Sequence, residues 1–95
     1  MSYQEFIKSL DLEEPPKNMR GLDLGLWHAA KGNWNMAHDI TQEIHTKTAS
    51  WVHAYLHRKE GDIGNAHYWY RQANKEACSG SLREELENIL KNVFL

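Results

Sequence analysis

Two histidines one helical turn apart are the residues of this chain whose spacing best suits metal chemistry. His53 and His57 stand in the run HAYLH, and an i, i+4 spacing brings both side chains to one face of a helix. Neutral imidazole nitrogens bind Zn²⁺ at about 2.0–2.1 Å, and a carboxylate such as Glu60 or Asp62 would complete the ligand set. The run lacks the glutamate that gives His-Glu-x-x-His metalloproteases their general base. The spacing indicates a metal-binding or metal-dependent hydrolytic protein as one hypothesis.

Other reactive groups give weaker signals. Cys78 is the only cysteine and stands in the run ACSGS, beside no base in the sequence. A lone cysteine in a loop is more typical of a small residue than of a nucleophile. Glu84, Glu85 and Glu87 are predicted to form a solvated face near a helix N-terminus, where negative charge is favourable. The favoured interpretation therefore assigns the chain no catalytic residue, no cofactor and no metal.

Composition predicts one soluble globular domain. The chain has 95 residues, 41% hydrophobic and 25% charged, with a formal net charge of −2. Because phosphate binding needs clustered Lys and Arg, this balance argues against a nucleic-acid partner. No apolar run approaches the roughly 18–20 residues of a membrane span. A single cysteine and the absence of a signal-peptide pattern at the start predict a cytoplasmic protein.

Helical periodicity without strict alternation predicts an all-α fold of six helices. Two Ser-x-x-Glu capping boxes, Ser2–Glu5 and Ser81–Glu84, predict where the first and last helices begin. Pro15–Pro16 ends the first helix, while Gly32 and Gly61 are typical helix terminators. The predicted units are an N-terminal helix with linker (1–20), a first hairpin (22–45), a second hairpin (47–76) and an amphipathic capping helix (81–95). Asn33 and Asp62 are the predicted N-caps of the second helix in each hairpin.

An internal repeat relates the two hairpins. Shifted by 29 residues, the run HAAKGNWNMAH (28–38) aligns with HRKEGDIGNAH (57–67). Each copy has a glycine elbow followed by a small residue, Ala37 or Ala66, which allows close approach of two helices. These hairpins resemble tetratricopeptide repeats over about residues 22–73, although the period of that family is about 34 residues. The matching positions are Leu24–Gly25, Gly32–Asn33, Ala37, Ala54, Gly61–Asp62, Ala66, Tyr70 and Ala73. The run EGDIGNAHYWYRQA also resembles a segment of small uncharacterised proteins, which implies no activity.

The repeat resemblance implies a peptide-binding face on the first helix of each hairpin. In the second copy this face would carry Trp51, Tyr55, Arg58 and Lys59, which lie at helical spacing. Two aromatic rings beside two cations would suit a peptide with an apolar residue and a carboxylate. The alternative is that a terminal helix folds into this groove and makes Trp51 and Tyr55 part of the core. The first-ranked function is therefore a protein- or peptide-interaction module, with the histidine metal site as the alternative.

The same alignment gives expectations for the remaining histidines and aromatic residues. His28 and His57 fall where the repeat family packs an aromatic ring, which implies partly buried, hydrogen-bonded histidines. His38 and His67 are expected on the helix surface. In the run Tyr68–Tyr70, successive residues turn by about 100°, so Tyr70 is assigned to the core. Tyr68 or Trp69 would then contact another element or stay half exposed. A contact with the final helix is the commoner use of such a residue, and a homodimer seam is another.

Overall fold

Six α-helices and no β-strand make up the computed structural model, which describes all 95 residues. This confirms the predicted all-α class. The helices are α1 (Tyr3–Ser9), α2 (Gly21–Ala30), α3 (Trp34–Gln42), α4 (Lys47–Lys59), α5 (Ile63–Gln72) and α6 (Leu82–Phe94). None of the six is both long and apolar enough to cross a membrane.

Local side-chain chemistry explains most of the helix boundaries. Both predicted capping boxes form, at Ser2–Glu5 for α1 and at Ser81–Glu84 for α6. Asp62 accepts a hydrogen bond from the backbone of Asn65 and caps α5, whereas Asn33 makes no side-chain cap for α3. The helix α5 ends earlier than predicted because Asn74 takes a left-handed conformation, with φ of +57°.

Helix α4 is the central element of the fold. It packs against α2, α3, α5 and α6, and the seven consecutive residues Trp51–His57 are all buried. A helix that is buried all round must satisfy every polar side chain it carries from its neighbours. Fully buried Ala37 and Ala66 lie on the partner helices of the two hairpins, α2–α3 and α4–α5. Small residues there let the paired helices approach closely.

Helix α6 covers one side of α4, and α1 packs against α6. Helix α6 packs along α4 and places Ile89 and Leu90 in the core, while α1 reaches α6 through stacked rings of Phe6 and Phe94, 4.7 Å apart. The α1 end is fixed to α2 by Trp27, whose indole N–H donates to the Ser9 carbonyl at 3.1 Å. The face of α4 that carries Trp51 is thus an internal surface, and the opposite face meets α3 and α5.

Candidate metal centre

Three histidines from two helices converge on the side of α4 that meets α3 and α5. His53 and His57 come from α4, and His38 comes from α3. The Nε2 atoms of His38 and His53 lie 2.9 Å apart, and one ring nitrogen from each of the three residues lies within 4.8 Å of the others. His53 and His57 are buried, and the side chain of His38 is 22% exposed. The predicted pair is therefore part of a trio, which we call the histidine cluster.

Two tryptophans hold the rings of the histidine cluster. Trp69 of α5 stacks on His53 with ring centroids 3.9 Å apart and planes 9° apart. Trp34 of α3 stacks on His38 at 4.8 Å, and its indole N–H donates to the Leu56 carbonyl at 2.6 Å. Because Leu56 belongs to α4, this bond anchors α3 beside the cluster. The surroundings of the three imidazoles are thus mainly aromatic rings, with little solvent.

Glu60 sets the tautomer of His57. Its carboxylate oxygen lies 2.7 Å from the His57 Nδ1 atom. An ionised carboxylate only accepts hydrogen bonds, so Nδ1 carries a hydrogen, and the lone pair of the neutral ring is therefore on Nε2. A carboxylate that orients a histidine in this way is typical of the outer shell of protein metal sites. Asp62, the other carboxylate considered from the sequence, also lies within 4.8 Å of His57 and Glu60, but it caps α5.

Burial keeps His53 neutral at physiological pH. The surrounding protein disfavours the charged imidazolium, and the charges of His38 and His57 add to this, so the pKa of His53 falls to about 4. A metal ion needs the neutral ring, because the lone pair that binds it is the site of protonation. His53 therefore presents a neutral imidazole, whose Nε2 shares a single hydrogen with Nε2 of His38.

Ring orientation determines what metal binding would require. Two nitrogens bound to a tetrahedral Zn²⁺ at about 2.0–2.1 Å lie about 3.3 Å apart, so the 2.9 Å pair must separate slightly. The hydrogen that the two Nε2 atoms share must also move to Nδ1 of the ring that carries it, so that both Nε2 lone pairs are free. His53 and His57, however, are stacked at 4.9 Å with planes 20° apart. Lone pairs lie in the ring planes, so these two rings must splay for both to reach one ion. Metal capture would therefore disturb the Trp69 ring stacked on His53.

His38 was wrongly expected on the surface. The repeat alignment equates it with His67, which is exposed, but His38 faces α4 and completes the cluster. The available signal was its i, i+4 spacing from Trp34, which places both rings on one face of α3. The expectation for His57 is confirmed, since it is buried and hydrogen-bonded to Glu60.

The predicted peptide-binding residues lie at the contact with α6. Trp51 and Tyr55 are buried, with 8% and 3% exposure, as in the alternative interpretation that made them core residues. Arg58 is also engaged, because it donates to the Glu85 carboxylate at 3.0 Å and to the carbonyl of Gly80. Only Lys59 is exposed. A peptide could use this face of α4 only if α6 moved away.

Glu85 is buried, although the sequence predicted that it lies on a solvated face. It is 1% exposed and accepts hydrogen bonds from three side chains: the Trp51 indole at 3.1 Å, Arg58 at 3.0 Å and the Tyr70 hydroxyl at 2.5 Å. Burial, followed by the bond to Glu85, raises the pKa of Tyr70. Glu84 and Glu87 are exposed as expected. Glu85 therefore joins α6 to α4 and α5 through a network in which every buried polar atom has a partner.

The three consecutive aromatic residues of α5 point in different directions, as helical spacing requires. Tyr70 is buried in the core, Tyr68 is 47% exposed, and Trp69 stacks on His53 of α4. Trp69 therefore contacts the histidine cluster. Cys78 is partly buried in the segment between α5 and α6.

Comparisons with protein-family models, with curated proteins and with solved structures found no match to this chain.

Proposed function

We propose that this protein binds a divalent transition metal through His38, His53 and His57. The observation that carries this function is the convergence of three ring nitrogens within 4.8 Å on the inner face of the α3–α4 contact. The Glu60 carboxylate supports it by orienting His57, and the lowered pKa of His53 supports it by removing competition from a proton. Binding is the whole of the proposed activity, and no catalytic step is assigned.

The ligand chemistry favours certain ions. Imidazole nitrogen suits Zn²⁺, Cu²⁺ and Ni²⁺, whereas Mg²⁺ and Ca²⁺ prefer oxygen ligands. Three histidines with a fourth position taken by water is a common arrangement for Zn²⁺. Affinity should follow the usual order, with Cu²⁺ above Zn²⁺ and Ni²⁺. We also infer a cytoplasmic location, since a single cysteine without an internal partner suits a reducing compartment.

The peptide-interaction function stays a prediction. It is ranked second because α6 covers the surface of α4 that would bind the peptide. The residues Trp51, Tyr55 and Arg58 already have partners within the chain. The metal function is placed first because its three ligands come together without any movement of a helix.

Thermal unfolding of chelator-treated protein tests the proposed function. Zn²⁺, Ni²⁺ and Cu²⁺ should each raise Tm, because a ligand at a hundredfold over its Kd adds about 2.7 kcal/mol to the free energy of unfolding. For a domain of this size, 1 kcal/mol corresponds to about 4–8 °C. The variant His38→Gln should lose most of this shift. Its matched control is His67→Gln, because His67 is the repeat equivalent of His38 and is exposed.

Tryptophan fluorescence provides a second measurement that does not depend on stability. If the ion separates His53 from His57, the Trp69 ring stacked on His53 changes its surroundings and its emission. Both signals should be present in His67→Gln and much smaller in His38→Gln. Equal metal-induced shifts in the two variants, or no shift in the unmodified chain, would contradict the proposed site.

A further inference from the structure

A cleft of about 370 Å³ opens beside the histidine cluster. It lies between the end of α3, the first half of α4 and the last half of α5, and His53 and Trp69 form part of its wall. His53 is only 4% exposed, so it lies at the deep side of the cleft. The cleft is thus a cavity of small-molecule size, built on three helices and on the short loop that joins α3 to α4.

The lining of this cleft carries no negative side chain. The chain has 13 acidic residues and a net charge of −2, yet none of the 11 residues around the cleft is Asp or Glu. The lining includes one cation, Lys47, and the second histidine of the wall, His45. Five of its other polar side chains can donate a hydrogen bond to a ligand: Thr46, Ser50, Tyr68, Gln42 and Gln72. The hydroxyl of Thr41 already donates to the Ala37 carbonyl at 2.8 Å. Such a lining favours an anion over a cation or a neutral apolar ligand.

Backbone groups at the start of α4 add to this preference. Thr46 caps the helix by accepting the Ala49 N–H at 3.1 Å, which leaves the N–H groups of Lys47 and Thr48 without an acceptor from the preceding turn. Free N–H groups and the helix dipole favour negative charge at this end. At the other end of the cleft, His53 bonds His38 through Nε2, and its Nδ1 has no hydrogen-bond partner. Backbone donors therefore bound the cleft at its mouth, and the Nδ1 atom of His53 adds a donor at the deep wall when His53 accepts the hydrogen that it shares with His38.

We propose that this cleft binds a small molecule through an oxyanion group, either a carboxylate or a phosphate. Lys47 supplies the charge, the first turn of α4 supplies backbone donors, and the hydroxyls of Thr46, Ser50 and Tyr68 surround the oxyanion. This function goes beyond metal binding and does not need a metal, although His53 belongs to both sites. An ion at the histidine cluster would strengthen the binding by adding positive charge near the deep wall.

Amide and indole chemical shifts of ¹⁵N-labelled, chelator-treated protein test this site without any metal. Inorganic phosphate and acetate are titrated separately at constant ionic strength. At least one of them should give saturable shifts at Lys47, Thr48 and the Trp69 indole, with a Kd of about 1–10 mM. The relative affinity of the two probes identifies phosphate or carboxylate as the preferred group.

Two exposed lysines give the matched variants for this titration. Lys47→Gln removes the cation of the cleft and should weaken binding about fivefold, while Lys91→Gln on α6 should leave it unchanged. The site is contradicted if neither probe saturates, or if Lys47→Gln and Lys91→Gln bind equally well. Because the protein carries no metal in this experiment, a negative result leaves the proposed metal function standing.

Discussion

Glu85 is a buried carboxylate whose charge is balanced by one cation and two neutral donors. Arg58, Trp51 and Tyr70 all donate to it, and it is 1% exposed. A carboxylate in such surroundings is stable only while its partners remain, because an uncompensated buried charge costs several kcal/mol. The contact between α4 and α6 therefore depends on the partners of Glu85 as well as on the buried apolar residues Ile89 and Leu90.

Removing either partner of the Arg58–Glu85 pair should strongly destabilise the protein. We expect Arg58→Met to lower the free energy of unfolding by about 3–5 kcal/mol, because it leaves the carboxylate without its cation. The double variant Arg58→Met/Glu85→Leu should lose less, since no charge then remains buried. Urea unfolding measures Arg58→Met, Glu85→Leu and the double variant, with exposed Glu87→Gln as the control. A double variant that loses the sum of the two single effects would contradict this coupling.

Glu85 and His38 show why the sequence predicted only part of the two sites. Glu85 follows Leu82 by three residues and precedes Ile89 by four, so helical spacing placed it on the apolar face of α6. Residue type gave the opposite expectation, because a lone glutamate is rarely buried without a partner. Its partners stand 27 and 34 residues away in sequence. No local pattern could reveal that they meet.

At the scale of helices, Gly25 fixes how closely α2 approaches α3. A Cβ atom at Gly25 would lie 2.8 Å from the Cγ2 atom of Thr41, and Thr41 is itself fully buried in α3. Real Cβ contacts are longer than this, so either the buried Thr41 side chain or one of the two helices must shift to accept a side chain at Gly25. The glycine that the repeat resemblance picked out therefore has a packing reason here.

Gly25→Ala should destabilise the protein by about 1–3 kcal/mol, because the added methyl group overpacks the α2–α3 contact. The control is Gly64→Ala in α5, where nothing lies within 4 Å of the added Cβ and φ is not positive. There the change should stabilise by about 0.4–1 kcal/mol, since alanine loses less entropy on helix formation. Thermal melts of both variants measure the opposite signs. Destabilisation of similar size at both positions would contradict the packing argument.

The helices themselves were largely predictable because their ends depend on local chemistry. The structure contains both capping boxes that the sequence predicts, at Ser2 and Ser81. It also has the two predicted glycine terminators, Gly32 and Gly61, in left-handed conformations. The end of α5 was not predictable in this way, because the residue that takes the left-handed conformation there is Asn74 and not a glycine. The position of α6 against α4 also depends on contacts between residues that are distant in sequence. The sequence alone therefore could not decide whether Trp51 is a core residue or part of a binding groove.

At the scale of the whole molecule, acid should weaken the metal-free protein through His53. Its pKa is about 4 in the folded chain and about 6.5 in the unfolded chain, so the unfolded chain binds more protons between these values. The free energy of unfolding is therefore fully present above pH 6.5 and declines as the pH falls towards 4. At about 1.4 kcal/mol for each pKa unit, the loss between pH 7 and pH 4.5 is about 2–3 kcal/mol.

Urea unfolding at pH 7 and pH 4.5 measures this loss. His53→Gln cannot take up the proton and should lose correspondingly less stability between the two values. Exposed His67→Gln should behave as the unmodified chain does. An equal loss in His53→Gln and in the unmodified chain would assign the acid sensitivity to other groups.

The central position of α4 governs how the molecule comes apart. A row of helical repeats, each touching only its neighbours, can lose one repeat at a time. Here α4 contacts α2, α3, α5 and α6, so neither hairpin can unfold without removing contacts from the other helices. The chain therefore opens as one cooperative unit. An ion held by His38, His53 and His57 would accordingly slow the opening of α6 as well, although α6 supplies none of its ligands.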